Sequence, residues 1–419
     1  MNFIKNNLNL SFLISLIVPI LITGPFLPDL IVSLSSLFFL IYVFKNKVFF
    51  YLNQKPLILF FIFCVYCILL SIFVAEDSFL SLESSLFFFR IGIFACVVWY
   101  LIETNKKTFN FFYYSLIISF SILVIDGYIQ YLFGYNIVGL PIMGVRISSF
   151  FGDELILGSY LSRLFPLLFA LFILRKKCKA EIFYIFSLFI LTDIIIFISG
   201  ERVAFFYLNL STIFVIIFIK KNQKLRLVTF LVSLILVAIL SLNNEKIKDR
   251  MIDQTIASIG LAKNSDKKYI FSESHDNLFF VGYKMFESKP IFGHGPKMFR
   301  VVCKNNKYNS SNTPCLTHPH NFYIQLLAET GIIGFLFLIL IFFYVIYCSV
   351  KQLKTIIFRE KRYLTDYQVC LLSCILITVW PFSPNGNFFN NWLAICYSLP
   401  IGFYLHSIYG KNNCELFNN

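Results

Sequence analysis

Long apolar segments, each bounded by charged residues, proline or glycine, follow one another along almost the whole chain. Twelve of them approach the length that a helix needs to cross a bilayer, roughly 20 residues. They show no helical period, which is typical of helices that face lipid or other helices all round. We therefore predict an all-α polytopic membrane protein with spans at 8–25, 28–44, 57–75, 84–102, 111–132, 154–174, 182–200, 203–219, 227–242, 332–350, 366–382 and 390–408.

The spans predict three regions along the chain. Residues 1–242 form a nine-span membrane region, 243–331 a large extramembrane loop, and 332–419 a three-span membrane region. The seventh and eighth spans are separated only by Gly200-Glu201-Arg202, so they form either two spans or a re-entrant pair. The first span lacks a small-residue cleavage site, and we expect it to be retained.

Lysine and arginine are distributed unevenly between the two sides that this topology defines. One set of short loops and termini holds 20 of them, whereas the short loops of the other set hold only Arg146 and Arg202. Short loops rich in Lys and Arg stay in the cytoplasm. We therefore predict that both termini are cytoplasmic and that 243–331 lies on the outer, periplasmic face.

Composition supports the membrane assignment and changes the meaning of the charge. Hydrophobic residues make up 58% of the chain and charged residues only 14%, which excludes an ordinary soluble domain. The net charge of +14 is spread thinly over the cytoplasmic loops. It therefore indicates topology and contact with anionic lipid, and no nucleic-acid partner is expected.

The outer loop has sequence features of its own. Asp276–Glu287 predicts a short amphipathic helix that ends before Lys289-Pro290, and Gly293 and Gly295 predict a tight turn. Long loops in compact proteins commonly serve as binding surfaces or as covers for active sites.

Two of the eleven cysteines, Cys303 and Cys315, lie in this loop, with eleven residues between them. The periplasm permits disulfides, so we predict that these two are bonded. Two free thiols, or a metal site of Cys315 with His318 and His320, are the alternatives. Free thiols are expected at the other nine, Cys64, Cys67, Cys96, Cys178, Cys348, Cys370, Cys374, Cys396 and Cys414.

The densest polar motif runs from Thr317 to Gly334 and leads directly into the tenth span. It places His318, His320 and Asn321 at the membrane boundary, where ionisable groups are often functional.

The sequence His320-Asn321, nine residues, Gly331, two residues, Gly334 resembles the signature of the O-antigen ligase and polymerase superfamily. The segment from Pro290 to Arg300 is similar to that family's Pro-hydrophobic-Gly-x-Gly-Pro segment. Ser199-Gly200-Glu201-Arg202 is similar to its small-residue-then-Arg motif. Together these motifs cover about 120–335.

The resemblance implies a membrane glycosyltransferase of the C-type fold. Such an enzyme moves a glycan from a polyprenyl diphosphate carrier to an acceptor hydroxyl at the periplasmic face, with inversion at the anomeric carbon. It needs neither a nucleotide sugar, a metal ion nor another cofactor. His320 matches the histidine that deprotonates or orients the acceptor, with Asn321 fixing its ring or binding substrate, and His318, Gly331 and Gly334 supporting it.

The chemistry of a diphosphate leaving group points independently to arginine, which remains charged and binds phosphate oxygens in pairs. Arg202 is the first candidate and Arg146 the second. An Arg202 that pairs with Glu201, or an Arg146 that meets lipid headgroups, is the alternative.

The chain departs from the family at one position. Many members carry a second arginine in the helix that opens the late outer loop, but the matching stretch here, residues 272–277, has none. His275, Arg300 and Lys297 are the candidates to replace it, and a solvated loop is the alternative for all three.

Four ionisable residues fall inside predicted spans, and each needs a partner there: Arg90, Asp126, Arg163 and Asp193.

Other functions stay open. A ligase transfers the glycan to a lipid A core, whereas a polymerase uses the same donor with a glycan acceptor. The sequence does not separate these two reactions. Transfer of the glycan to protein is a further version. A flippase of the same lipid-linked glycans is the rival from another class, although no internal repeat supports it.

Overall fold

The computed structural model describes residues 7–175, 178–261, 269–308 and 315–411. Regular structure in these ranges is helical, apart from two isolated bridges, Tyr135 with Pro141 and Met143 with Arg146. The α-helices are α1 Asn7–Ser15, α2 Ile17–Ile20, α3 Phe26–Asn46, α4 Lys55–Phe73, α5 Ser78–Ser85, α6 Phe89–Thr104, α7 Lys107–Phe133, α8 Leu157–Ile173, α9 Lys179–Ile198, α10 Arg202–Phe218, α11 Gln223–Asn243, α12 Glu245–Lys248, α13 Gln254–Ser258, α14 Glu273–Ser288, α15 Phe299–Val302, α16 Phe322–Ile357, α17 Asp366–Thr378 and α18 Asn391–Tyr409. Short 3-10 turns occur at Leu21–Thr23, Phe49–Tyr51 and Ser149–Phe151, and a π-helical turn at Asp249–Asp253.

The chain is a helical, multi-pass membrane protein. In the described residues, seven helical segments are long and apolar enough to cross a membrane, with α5 and α6 counted as one. Shorter apolar helices lie at Leu8–Thr23, Leu157–Ile173, Arg202–Phe218 and Asp366–Thr378, and α18 coincides with the last predicted span. Every predicted span thus contains apolar helix, while the number that cross the bilayer stays a prediction.

One predicted boundary differs from the structure. The span predicted to start at residue 332 belongs to α16, which begins ten residues earlier at Phe322 and is broken at Gly331 (φ 64°, ψ −165°). A backbone break allows one helix to carry a membrane segment and an outer segment in different directions. The seventh and eighth predicted spans are two separate helices, α9 and α10, with 20 and 17 residues.

The core is rich in aromatic side chains and lies between α6, α8, α10, α17 and α18. Trp99, Tyr160 and Phe403 are fully buried in it. A Cβ at Gly402 on α18 would lie 2.7 Å from the carbonyl oxygen of Ala95 on α6. Glycine at this position therefore permits the closest helix contact in this part of the core.

Three of the four ionisable residues within the predicted spans have polar side-chain or backbone partners. Arg90 forms an ion pair with Asp29 at 2.6 Å. Asp126 accepts hydrogen bonds from Asn136, from the Ser149 hydroxyl and from the backbone of Ile137. Partners of Asp193 are the Asn209 amide and the Ser233 hydroxyl. The fourth, Arg163, lines a cavity.

Candidate active site

A cavity of about 470 Å³ lies at the helix ends opposite the lysine-rich loops. Its wall comes from the 134–156 connection, the α9–α10 turn, the loop that follows α11, residue 320 and the α17–α18 connection. The charged and titratable lining residues are Arg146, Arg163, Glu201, Arg202, Arg250, His275 and His320, with Tyr207 beside them. A cavity with four guanidinium groups and one carboxylate is suited to an anionic ligand.

Arg202 and Arg250 form a pair at this cavity. Arg202 donates from Nε and Nη2 to the backbone oxygen of Arg250, at 3.2 and 2.9 Å. Both guanidinium groups also approach the Oε1 atom of Gln254, at 3.4 Å from Arg202 and 3.1 Å from Arg250. Neither has a carboxylate partner among the described ion pairs. Two cations converging on one oxygen form a site that a phosphate oxygen can occupy with greater stabilisation.

Glu201 does not pair with Arg202, contrary to the alternative considered from the sequence. Its carboxylate accepts from the backbone N–H groups of Gly158 and Ser159, at 2.6 and 2.9 Å, at the start of α8. Burial raises the pKa of Glu201 to about 7, against the opposing effect of the Gly158 hydrogen bond and of Arg146. The carboxyl therefore cancels only part of one positive charge at neutral pH.

Arg146 and Gly200 lie on the same side of the cavity. Arg146 donates to the backbone oxygens of Ser199 and Leu155, at 3.5 and 3.2 Å. Gly200 has φ +74°, and a Cβ there would lie 3.3 to 3.4 Å from Arg250 and Arg146. A glycine between the two arginines lets both side chains approach the cavity.

Arg163 forms the buried part of the wall and is only 5% exposed. Its Nε donates to the Ser159 hydroxyl at 3.2 Å, and its guanidinium lies 5.0 and 5.4 Å from the ring centres of Tyr207 and Tyr397. Its Nη1 atom has no hydrogen-bond partner in the described residues. Aromatic faces therefore stabilise this cation in place of a direct ion pair.

His320 lies at the cavity with two other histidines beside it. The ring centres of His275 and His318 are 5.6 and 4.2 Å from that of His320. Burial lowers the pKa of His320, and the backbone of Asn385 partly opposes that shift. Burial also lowers the pKa of His275, followed by the effect of His320. A neutral imidazole at His320 is suited to accept a proton near neutral pH.

Asn321, which was predicted to fix the His320 ring or bind substrate, has its side chain hydrogen-bonded to the backbone. Its Oδ1 accepts from the backbone N–H groups of Tyr323 and Ile324, which caps the start of α16. Its Nδ2 donates to the backbone oxygens of Pro381 and Ser383. Both ends of the amide are thus committed to backbone groups, and Asn321 is absent from the cavity wall. The geometry supports a structural role and gives no support for contact with substrate.

Three other predicted site residues do not line the cavity. Lys297 forms an ion pair with Glu83. Arg300 lies near His318. Burial lowers the pKa of His318 to about 3, with smaller effects from His320 and Arg300. These positions give no support for diphosphate binding by Lys297 or Arg300, and the His318 ring contacts the ring of His320. His275 alone, of the proposed replacements for the missing arginine, lines the cavity.

Gly331 and Gly334 are explained by close backbone contact. A Cβ at Gly331 would lie 2.2 Å from the Ile291 carbonyl oxygen, and one at Gly334 would lie 1.9 Å from Thr330 Oγ1. Backbone hydrogen bonds from Gly295 to Glu329 and from Ile332 to Pro290, at 2.7 and 2.9 Å, join the same two segments. The Gly-x-Gly turn therefore packs directly on the break in α16, and the two family motifs form one unit.

Cys303 and Cys315 are joined by a disulfide, with Cα atoms 5.6 Å apart. The alternative metal site that used Cys315 is thus not what the structure forms, and the described residues contain no group of three His, Cys, Asp or Glu side chains arranged for a metal ion. The eight other described cysteines are not disulfide-bonded, and Cys414 lies outside the described residues.

The structure adds site residues that sequence reasoning missed. Arg250 lies in the π-helical turn after α12, within a charged stretch that resembles a solvated loop. The sequence feature that could have identified it is the pair of apolar residues Ile247 and Met251, four positions apart, which predicts a helix packed on the rest of the protein. Both side chains are buried in the structure. Pro384, Asn385 and Gly386 in the α17–α18 connection were missed as well.

Comparison with known proteins agrees with the motifs. Residues 185–339 match the model of the O-antigen ligase family, and this segment contains Arg202, Arg250, His275 and His320. A search of curated proteins gave no match. The matched segment also contains the His-Asn and Gly-x-x-Gly elements, so the resemblance seen in the sequence is confirmed. Residues 185–339 are thus similar to the O-antigen ligase family, whose enzymes are of the glycosyltransferase type.

Proposed function

We propose that this protein is a glycosyltransferase of the ligase type. It takes a glycan from a polyprenyl diphosphate carrier and transfers it to a hydroxyl of a lipid A core or a similar acceptor, at the periplasmic face of the bacterial inner membrane. The observation that carries the proposal is the pair formed by Arg202 and Arg250, which converges on one oxygen of Gln254 and has no carboxylate partner among the described ion pairs.

In this proposal Arg202 and Arg250 bind the diphosphate of the donor. The bond between the anomeric carbon and the phosphate oxygen breaks, and its electron pair stays on the diphosphate. Two guanidinium groups stabilise the charge that develops there, and each such donor contributes about 2.7 to 4 kcal/mol in comparable sites. Arg250 thereby acts as the second arginine, which many family members carry in the helix that opens the late outer loop and which residues 272–277 lack. His275 lines the same cavity.

His320 is the base of the proposed reaction. The acceptor hydroxyl forms the new bond to the anomeric carbon, and its proton passes to the imidazole of His320. Attack on the face opposite the diphosphate inverts that carbon. The lowered pKa of His320 keeps its ring unprotonated at neutral pH, and residues of the chain alone perform each step.

A polymerase that joins repeat units remains the second candidate, since it uses the same donor and the same chemistry at the diphosphate. The difference between the two reactions lies in the acceptor alone. The family match does not identify the acceptor, and in this proposal the lining of the cavity binds the diphosphate that both reactions share.

The proposal is tested with purified protein in lipid nanodiscs, a labelled polyprenyl diphosphate glycan and a lipid A core acceptor, with chelator present throughout. We expect one labelled product on the acceptor, formed by the wild type and lost in both Arg202→Gln and His320→Ala. A ladder of elongated donor would mean a polymerase. Movement of the carrier across the bilayer without any product would mean a flippase and would overturn the proposal.

A further inference from the structure

The connection between α17 and α18 runs along the histidine motif and lies outside the segment that matches the family. The backbone N–H of Asn385 donates to the carbonyl oxygen of His320 at 2.6 Å. Asn321 reaches the backbone oxygens of Pro381 and Ser383, at 2.9 and 3.3 Å. Residues 381–388, here called the clamp segment, thus hold both residues of the His-Asn pair.

The clamp segment continues along the first turn of α16. Gln325 is fully buried, donates to the side chain of Asn387 at 2.9 Å and accepts from the backbone N–H of Phe388 at 2.9 Å. A buried network in which every member has a partner is rigid and specifies one arrangement. The start of α16 is therefore fixed to the clamp segment over several residues.

Holding His320 requires such a network because its backbone is in the left-handed region, with φ 57°. A non-glycine residue in this conformation costs about 1 to 2 kcal/mol, so it persists only where neighbouring contacts fix it. Within the described residues, the hydrogen bond from the Asn385 N–H to the His320 carbonyl oxygen is the contact that fixes this backbone.

Tyr207 connects this network to the arginines. Its hydroxyl donates to Oδ1 of Asn385 at 2.5 Å and lies 2.6 Å from the hydroxyl of Ser383. It is 1% exposed and lies on α10, five residues after Arg202, a rise of about 7.5 Å along the helix. One buried hydroxyl therefore joins the helix that begins with Arg202 to the segment that holds His320.

We propose that Tyr207 is a positioning residue of the transferase: its hydroxyl fixes Ser383 and Asn385, and through them sets where the His320 imidazole stands relative to the Arg202–Arg250 pair. The inference rests on the proposed function of the cavity. It assigns part of the active-site geometry to a segment beyond the family match, and it makes the distance between base and diphosphate a property of α10 and the clamp segment together.

The pH profile reports on this role. The His320 ring is faced by His318 in its own loop, by His275 of α14, and by the arginines and Glu201 of the cavity. Among these neighbours the backbone of Asn385 favours the protonated ring. Loosening Asn385 removes that contact, so the pKa of the base should fall further below its ordinary value.

Tyr207→Phe is the test, because it removes the hydroxyl and keeps the ring over Arg163. The matched control is Tyr397→Phe, whose ring also lies on Arg163 and whose hydroxyl has no hydrogen-bond partner in the described residues. We expect Tyr207→Phe to lower kcat about 10- to 100-fold, as misplacement of a reacting group does. The KM for the donor should stay within about twofold, since ground-state binding is retained.

Three readouts separate positioning from general loss of structure: kcat against pH, the number of donor molecules bound per protein, and the same rates in Tyr397→Phe. A reduced kcat with a shifted acid limb, full donor binding and a normal control supports the inference. An unchanged kcat overturns it, and so does a loss of kcat that merely follows a loss of donor binding with an unshifted pH profile. A wild type that transfers no glycan would instead refute the proposed function, and the inference with it.

Discussion

Two groups of charged residues in this protein differ in how their hydrogen bonds are satisfied. Asp126 and Asp193, within the helices, have all their hydrogen bonds provided by neighbouring side chains or backbone. Arg202 and Arg250, at the cavity, lie side by side with an amide oxygen between them. A saturated charge stabilises the fold. A cation left without an anion is available to a substrate.

The difference gives a way to distinguish structural from functional charges in membrane enzymes. Burial differs as well, because the aspartates are fully buried and the two arginines are half-buried. The hydrogen-bond partners are what separate a structural from a functional charge: the aspartates meet donors supplied by the chain itself, whereas the arginines meet each other. Substitution of the aspartates should therefore lower the stability of the fold, whereas substitution of the arginines should lower the rate of transfer.

The largest effect is expected from His320→Ala. Removal of a general base costs about 10²- to 10⁴-fold in kcat, so transfer should become nearly undetectable while the protein elutes as the wild type does in size-exclusion chromatography. His294→Gln is the comparison, because His294 is hydrogen-bonded to Ser288 and Met285 outside the cavity. Equal losses in the two variants would place His320 among the structural residues.

Arg250→Gln should come next, with a loss of about 10²-fold in transfer, since one of two donors to the developing charge is removed. Lys297→Gln should stay within about threefold of the wild type, because Lys297 pairs with Glu83 away from the cavity. The reverse order of effects would return Lys297 to the diphosphate site and remove Arg250 from it.

Asp126→Ala should show the opposite pattern. It leaves Asn136, Ser149 and the backbone of Ile137 without their shared acceptor, at a cost of about 3 kcal/mol in stability. A lower midpoint in thermal denaturation is expected, with transfer per folded molecule close to that of the wild type. The exposed Asp153→Ala serves as the control for charge. A selective loss of transfer in Asp126→Ala would blur the distinction between the two groups.

The smallest effect concerns pH. His320 acts as a base when unprotonated, and a lowered pKa keeps it so in weak acid. A histidine at its ordinary pKa, about 6.5, would lose roughly three quarters of its unprotonated form at pH 6. We therefore expect kcat to fall, between pH 7.5 and 6, by less than the roughly fourfold that a histidine at its ordinary pKa would give. An acid limb at or above the ordinary value would contradict the burial of the working imidazole.

The sequence predicted the helical membrane fold and part of the site for physical reasons that can be named. Apolar length identifies spans, and Arg146, Arg202, His275 and His320 lie in the predicted outer loops and turns, from which they meet at one cavity. Arg250 was not predicted as a site residue, because a lone arginine in a charged stretch is usually solvated.

The role of the clamp segment was not predicted from the sequence, for a different reason. Its contacts to His320 and Asn321 are largely through backbone atoms, which carry no side-chain signature in the sequence. Asn321 was assigned a chemical role because its type suits one, whereas its amide is committed to backbone groups. Tertiary pairing of distant segments decides both cases, and no local pattern encodes it.

The break at Gly331 also limits how this chain can be recombined with its relatives. The outer loop is attached at its two ends and again at its middle, where the Pro290–Gly295 turn meets residues 328–332. A chimera that exchanges the loop but keeps the host's own helix start would bring together two surfaces shaped for other partners. The transplantable module should therefore extend through Gly334, and hybrids joined before Gly331 should accumulate poorly in the membrane.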